Sequence, residues 1–196
     1  MVNSDGSTEP TCPVRSELRH AGIYSIDVDR LAAFYGRMLG LVITDRGVMS
    51  TGADILFMTA NAEQHHQLVL IGGRAPDTPS TVNQLSFRVD DLAALQTYAR
   101  FLAGFPEISP RQMSHGNAWS IYFADPEGNG IEVYCDTPWY VSQPRLLPLD
   151  LAADAEQIRT EAATLAAQDP SGVPVEEWRQ EVQQRLADRP IQPRTG

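Results

Sequence analysis

Four histidines carry much of the chemistry that this chain can perform near neutral pH, because imidazole binds metals and exchanges protons there. They stand at the ends of strand-like segments: His20 begins one, His65 and His66 precede a second, and His115 precedes a third. A single histidine in such a place is more often a hydrogen-bonded structural group. Strand ends on one side of a curved sheet can converge, however, so these four are candidates for metal binding or proton transfer.

Glu132 is the acidic residue best placed to join them. It lies between Ile131 and Val133 in a strand-like segment, so strand alternation directs its carboxylate to the face opposite theirs. That face is either solvent or a cavity in which the carboxylate holds a cation. Tyr122 lies ten residues earlier on the neighbouring strand of a predicted hairpin and can reach the same face, although a core aromatic needs no such role.

The elements that must position these residues occur twice along the chain. A strand from His20, an amphipathic helix and three further strands are followed by a second strand–helix–three-strand series. This βαβββ repeat predicts an α+β fold. We expect the strands after the first helix at 41–48, 54–59 and 67–71, the second-half strands at 84–89, 107–113, 118–124 and 130–135, and a tight turn at 125–129.

Composition shifts divide the chain further. The expected order is a disordered leader 1–17, a first module 18–73, a linker 74–82, a second module 83–136, a Pro-containing exit segment 137–149, a two-helix arm 150–188 and a tail 189–196. The arm helices have one-sided apolar stripes that need a surface to cover, either the core or a second subunit. We therefore expect the arm to be the contact of a homo-oligomer.

Bulk composition excludes several classes of function. The net charge of −10 argues against nucleic acid or an anionic membrane as a partner. All fifteen cationic residues are arginine, which excludes Schiff-base chemistry on a lysine. No apolar run reaches membrane-spanning length, the opening residues are polar, and Cys12 and Cys135 suggest no disulfide framework, so a cytoplasmic location is expected. Phosphate-binding loops, nucleophile elbows and zinc-type cysteine pairs are not found.

Two stretches resemble vicinal oxygen chelate proteins, the superfamily of glyoxalases, bleomycin-resistance proteins and extradiol dioxygenases. Residues 18–41, with Phe34-Tyr35 and Leu39-Gly40-Leu41, look like the opening module, and residues 120–134 look like the closing hairpin. The resemblance covers about residues 18–136 and is strongest to one-domain extradiol catechol dioxygenases. It implies that the two modules form a curved mixed sheet around a metal cavity.

The resemblance also implies a metal-ligand set. Extradiol dioxygenases hold Fe(II) with two histidines and one glutamate, and His20 and Glu132 match the first histidine and the glutamate. The position of the second histidine is occupied by Gln84. A glutamine oxygen can bind a divalent metal, although a neutral oxygen should hold Fe(II) less tightly than imidazole, so Mn(II) or another divalent metal is an alternative.

The remaining candidates match residues that surround substrate and oxygen in that family. His66 matches the histidine beside the oxygen site, and of the pair His65 and His66 we expect His66 to face inward. His115 and Tyr122 match the residues that hydrogen-bond the catechol oxygens. The implied substrates are a small aromatic diol and O2, and the implied reaction is ring cleavage beside the two hydroxyls.

Two other functions remain open on the same fold. A glyoxalase-like isomerase or lyase would need a further carboxylate on the last strand of the first half, and residues 67–71 offer none. A non-catalytic small-molecule binding or resistance protein would use the cavity as a trap, with Gln84 as a trace of lost metal chemistry.

Overall fold

The computed structural model of this protein describes residues 15–188. Most of the expected leader, including Cys12, and the expected tail 189–196 lie outside the described residues. Within the described part, no helix is long and apolar enough to cross a membrane. The elements that follow confirm the predicted α+β class.

The first half contains one helix and four strands. Strand β1 (Ala21–Ser25) leads into helix α1 (Val28–Leu39), and strands β2 (Val42–Val48), β3 (Asp54–Thr59) and β4 (Leu68–Gly72) follow. The four strands form a mixed sheet in the order β1-β4-β3-β2, in which only the β1–β4 pair is parallel. Strand β1 therefore lies at one edge of this sheet.

The second half repeats this order. Strand β5 (Leu85–Arg88) leads into helix α2 (Leu92–Leu102), and strands β6 (Arg111–Ser114), β7 (Ala118–Ala124) and β8 (Gly130–Asp136) follow. Strand β5 pairs in parallel with β8 at the edge of the sheet. Strand β6 is shorter than the predicted run 107–113, because Pro106 and Pro110 supply no backbone donor for a strand ladder.

The two helices begin in the same way, which explains why the sequence repeat produces a structural repeat. Asp27 accepts a hydrogen bond from the backbone of Arg30 at 3.0 Å, and Asp91 accepts one from Ala94 at 2.9 Å. Each aspartate thereby satisfies a backbone donor of the first helical turn. Helix α1 ends at Gly40, whose φ of 71° is the left-handed conformation that glycine adopts without strain.

The helices cover one face of the sheets and form the core with them. The core contains α1 side chains such as Leu31 and Tyr35, α2 side chains such as Leu95, and strand residues such as Leu56 and Ile121, all fully buried. The opposite strand faces carry the polar candidates. This division follows from strand alternation and leaves one face available for a site.

The strand ladder differs in one respect from the single curved sheet that was expected. The eight strands of the two halves belong to separate sheets, with β1 at the edge of one and β5 at the edge of the other. The beginning of β1 and the whole of β5 instead line a cavity of about 1020 Å³, together with residues of β4 and both helices.

The chain after β8 returns to the second sheet before it enters the helical arm. Strand β9 (Trp139–Tyr140) pairs with β11 (Val173–Pro174), and strand β10 (Leu147–Pro148) pairs with β6. Helix α3 (Ala155–Gln168) buries Ile158 and Ala162 against the core and also buries Ala166, whereas helix α4 (Val175–Asp188) buries none of its described side chains. The predicted oligomer contact of the arm remains a prediction.

Candidate active site

A row of polar residues crosses the open face of the second sheet. In the strand registers, Arg111 of β6 is opposite Tyr122 of β7, Tyr122 is opposite Glu132 of β8, and Glu132 is opposite Ser86 of β5. Directly paired residues project from the same face of a sheet. Four consecutive strands therefore bring a guanidinium, a phenol, a carboxylate and a hydroxyl side by side.

Glu132 is the centre of this row, and the residue is 7 % exposed. One of its oxygens accepts a hydrogen bond from the Tyr122 hydroxyl. The other accepts from Ser86 Oγ at 2.5 Å and from Gln84 Nε2 at 2.9 Å. A buried carboxylate is costly unless such donors surround it, so these three side chains account for its burial.

The hydrogen-bonded chain continues from Tyr122 to His115. His115 Nε2 lies 2.7 Å from the Tyr122 hydroxyl, and His115 Nδ1 lies 2.7 Å from the Arg145 carbonyl oxygen. Because a carbonyl only accepts, Nδ1 carries a proton. The Tyr122 hydroxyl lies between His115 Nε2 and a Glu132 carboxylate oxygen, so the three side chains form one continuous hydrogen-bonded path along which a proton can move.

Burial raises the pKa of Tyr122 well above its ordinary value, and the hydrogen bond to Glu132 raises it further. The phenol therefore keeps its proton throughout the neutral pH range. A protonated phenol is able to donate to an anionic oxygen, whether that of Glu132 or that of a ligand.

The histidines of the first half form a second group. The rings of His20 and His66 lie with their centroids 4.3 Å apart. His65 turns away toward Asp45, with 2.5 Å between Nε2 and the carboxylate oxygen, and its Nδ1 lies 2.9 Å from Nδ1 of His66. Burial, followed by the nearby His20 and His65, lowers the pKa of His66. His66 therefore stands beside His20 as a neutral imidazole near pH 7.

Gln84 lines both the cavity that His20 lines and the groove that Tyr122 and His115 line. The cavity between the edge strands is lined by His20, Gln84 and Ser86 among others. A separate groove of about 470 Å³ is lined by Gln84, Tyr122 and His115, and also by Arg111 and Leu146. Gln84 is held in place by the backbone around it, because a Cβ on Gly130 of β8 would lie 1.9 Å from the neighbouring Asn83 carbonyl oxygen. Only glycine permits this close approach.

The strand registers also show which positions of the two halves correspond. Ala21 pairs with Leu68 as Leu85 pairs with Ile131, so His20 corresponds to Gln84, and Val69 to Glu132. The first half thus carries an apolar side chain where the second carries its carboxylate. This is the position at which a glyoxalase-like enzyme would need a further acidic ligand.

The structure thus brings Gln84, Glu132, Tyr122 and His115 into one hydrogen-bonded group and places His20 against His66. Among residues 15–188, no three His, Cys, Asp or Glu side chains come together in a way that would hold a metal ion. The predicted ligand set consists of His20, Gln84 and Glu132, and its third donor would be the amide oxygen of Gln84. This ligand set remains a prediction.

Two groups that form hydrogen bonds in this site were not predicted from the sequence. Ser86 lies two residues after Gln84, so strand alternation alone would have placed both on the same face. The Arg145 carbonyl reaches His115 because the exit segment folds back along β6 through β10, and nothing in the local sequence indicates that return.

The comparison with protein families agrees with this architecture. Residues 17–133, more than half of the chain, match the Glyoxalase/Bleomycin resistance protein/Dioxygenase superfamily. The protein therefore belongs to this superfamily, which is the vicinal oxygen chelate group indicated by the two sequence stretches. No curated protein matches the chain.

Several solved structures are similar to this chain at low sequence identity. A glyoxylase/bleomycin resistance protein/dioxygenase domain from Frankia sp. EAN1pec is 19% identical with a TM-score of 0.53, covering 63% of this chain and 99% of that one. Fosfomycin resistance protein FosX from Mesorhizobium loti is 18% identical with a TM-score of 0.48, covering 62% and 92%. Lactoylglutathione lyase from Agrobacterium tumefaciens is 21% identical with a TM-score of 0.46, covering 62% and 94%.

Proposed function

We propose that this protein is an extradiol-type dioxygenase, which opens the ring of a small catechol with Fe(II) and O2. The observation that carries the proposal is the hydrogen-bonded chain from His115 through Tyr122 to Glu132 beside a groove. It joins the two residues assigned by resemblance to the catechol oxygens with the carboxylate assigned to the metal. The groove volume of about 470 Å³ suits a single substituted ring.

The donor set fits a divalent metal in kind. His20 offers an imidazole nitrogen, Glu132 a carboxylate oxygen and Gln84 an amide oxygen, and such mixed donors suit Fe(II), Mn(II) and related ions. Gln84 presents its amide nitrogen to Glu132 at 2.9 Å, so metal binding through its oxygen requires the amide to rotate. That rotation also releases a Glu132 oxygen from one of its two donors. A bound Fe(II) would supply a Lewis-acidic centre that brings an electron-rich ring and O2 together.

The roles of the protein groups follow from their contacts. Tyr122 donates a proton toward an anionic catechol oxygen, and His115, fixed by the Arg145 carbonyl, exchanges a proton with Tyr122. The rigid strands that carry both residues orient the ring before reaction, and such orientation supplies a large share of catalysis in two-substrate reactions. His66, whose ring is tilted by 52° against that of His20 at 4.3 Å between centroids, is the neutral base on the oxygen side.

A second candidate is a non-catalytic binding protein for an aromatic ligand. One observation favours it: both Glu132 oxygens already accept hydrogen bonds from protein side chains, so the carboxylate is satisfied without a cation. In that case the groove would bind its ligand through Tyr122 and His115 alone. A glyoxalase-like lyase is less well supported, because Val69 occupies the position of its additional carboxylate.

The test is anaerobic loading of the purified protein with Fe(II), followed by a panel of catechols and O2. Bound metal is measured by mass spectrometry, and reaction by oxygen uptake and formation of a yellow ring-opened product. The control is Zn(II)-loaded protein, which should bind catechol without consuming oxygen. Stoichiometric Fe(II) without oxygen uptake by any catechol would overturn the dioxygenase proposal. Catechol binding by metal-free protein, with no metal uptake, would support the binding-protein alternative.

A further inference from the structure

Arg111 is the charged residue of the polar row that the proposed reaction does not use. Its guanidinium carbon lies 5.9 Å from the centroid of the Tyr122 ring, directly across the strand pair. Among the residues that line the groove it is the only arginine, and no aspartate or glutamate lines it. The groove therefore has a cationic end beside the phenol that is assigned to the ring oxygens.

Arg111 differs from those arginines of the described chain that are paired with a carboxylate. Arg88 pairs with Asp136 at 3.4 Å, Arg145 pairs with Asp169, and Arg74 lies 3.7 Å from Glu127. Within the part of the chain that the structure describes, Arg111 has no carboxylate within 4 Å. In a protein with a net charge of −10, acidic partners are plentiful, so an unpaired guanidinium at a groove is available to an anion from outside.

We infer that the ligand of this groove is an aromatic ring that bears a carboxylate, and that Arg111 binds this carboxylate. Guanidinium matches the planar carboxylate through two parallel hydrogen bonds, which gives orientation as well as attraction. With the carboxylate at Arg111, the ring extends along the row toward Tyr122 and His115. This inference rests on the proposed function for the identity of the ring as a catechol, but the preference for charge is measurable by binding alone.

The experiment compares two catechols that differ in charge and little in shape: dihydrocaffeate, which has a propionate side chain, and propylcatechol, which has a neutral one. Affinities are measured anaerobically by calorimetry, so that no turnover occurs. We expect the wild-type protein to bind dihydrocaffeate about tenfold more tightly, as a charge-assisted hydrogen bond would give. The preference should decrease as salt concentration rises.

Three variants separate binding from a structural role of Arg111. Arg111→Gln should abolish the preference while leaving the affinity for propylcatechol unchanged, and Arg111→Lys should retain part of it. Arg179→Gln removes the same charge from an exposed pair with Glu176 on α4 and should behave as the wild type. Equal weakening of both ligands by Arg111→Gln would show that Arg111 only supports the Tyr122 ring and would overturn the inference.

The outcome is distinguishable from that of the proposed function. A wild-type protein that binds both catechols equally overturns the carboxylate inference, even if both are cleaved with oxygen uptake. A preference for dihydrocaffeate that Arg111→Gln abolishes supports the inference, even if neither ligand consumes oxygen and the dioxygenase proposal fails.

Discussion

Two groups of buried carboxylates lie on the same β7–β8 hairpin and differ in what surrounds them. At the turn, Glu127 accepts hydrogen bonds from Ser25 Oγ and from the backbone of Ile26 and Asp27, all at 2.8–2.9 Å. The Arg74 guanidinium lies 3.7 Å away, and both side chains are almost fully buried. These partners belong to the first half and to the chain that follows it, so the turn fastens the hairpin to them.

The other group surrounds Glu132, five residues further along. Its three donors are side chains, two of them hydroxyls whose protons can be redirected, and it adjoins a groove. Burial and hydrogen bonding are thus similar in the two groups. The difference lies in the kind of donor and in access from outside. Two fixed backbone donors and a buried arginine indicate a structural role for Glu127, whereas a set of side-chain donors beside a groove indicates chemistry at Glu132.

The largest effect is expected at Glu132. Glu132→Gln removes the carboxylate that we propose as the anionic metal ligand and should lower catechol turnover by at least about 100-fold, since a metal centre contributes several kcal/mol to catalysis. Oxygen uptake and metal stoichiometry measure the loss, and thermal unfolding shows that the fold is kept. The matched control is Glu63→Gln, an exposed change before β4. Turnover within tenfold of the wild type would remove Glu132 from the proposed site.

The converse result is expected at Glu127. Glu127→Ala leaves the buried Arg74 unpaired and three donors without an acceptor, so the free energy of unfolding should fall by about 3 kcal/mol. Urea unfolding measures this, and the folded fraction should retain its turnover per molecule. If Glu127→Ala leaves stability intact but abolishes turnover, the division between a structural and a chemical carboxylate is wrong.

Local sequence pattern was enough to predict the elements that define the fold. Strand β7 coincides with the predicted run 118–124, and β3 with 54–59, because each is a short, mainly apolar segment with turn-forming residues beside it. The position of Glu132 on the face opposite Ile131 and Val133 follows from the same alternation. Local periodicity therefore identifies strands and the faces of their residues.

Contacts between distant segments could not be predicted in this way. Glu127 was assigned to a turn, and its bonds to Ser25, 102 residues away, depend on how the two halves pack. Likewise, the sequence does not show that β1 and β5 border separate sheets with a cavity between them. Pairing between halves is decided by tertiary packing, which a one-dimensional pattern does not contain.

A smaller change is expected at Gln84, the member of the Glu132 group that departs from the dioxygenase pattern. Gln84→His replaces an amide oxygen with an imidazole nitrogen, which Fe(II) prefers, and should tighten metal binding by about tenfold. Metal titration under anaerobic conditions measures the affinity, with oxygen uptake as the second readout. Unchanged affinity would indicate that this position does not contact the metal. The nearby Asn83→His variant is the control for adding a histidine.

The smallest effect concerns Tyr122, which donates to Glu132, and Tyr35, which donates to Asp125 in the same turn as Glu127. Burial raises the pKa of both Tyr35 and Tyr122, and the carboxylates Asp125 and Glu132 raise them further. Tyr35 donates to Asp125 at the turn, as Tyr122 donates to Glu132. A tyrosine whose pKa is raised in the folded state stabilises the fold below its ordinary pKa of about 10, and this contribution is lost as pH rises toward the folded value.

The free energy of unfolding should therefore decline above about pH 10, and Tyr35→Phe and Tyr122→Phe should each make that decline shallower. Urea unfolding at a series of pH values measures it. The Glu132→Gln variant distinguishes the two tyrosines, because it should move the pKa of Tyr122 toward its ordinary value and leave the pKa of Tyr35 unchanged. Tyrosinate absorbance measures this change in pKa. In Glu132→Gln one phenol should ionise at a lower pH than in the wild type, and this transition should be absent when Tyr122→Phe is added. An unchanged titration curve would show that the Glu132 carboxylate does not hold the Tyr122 proton.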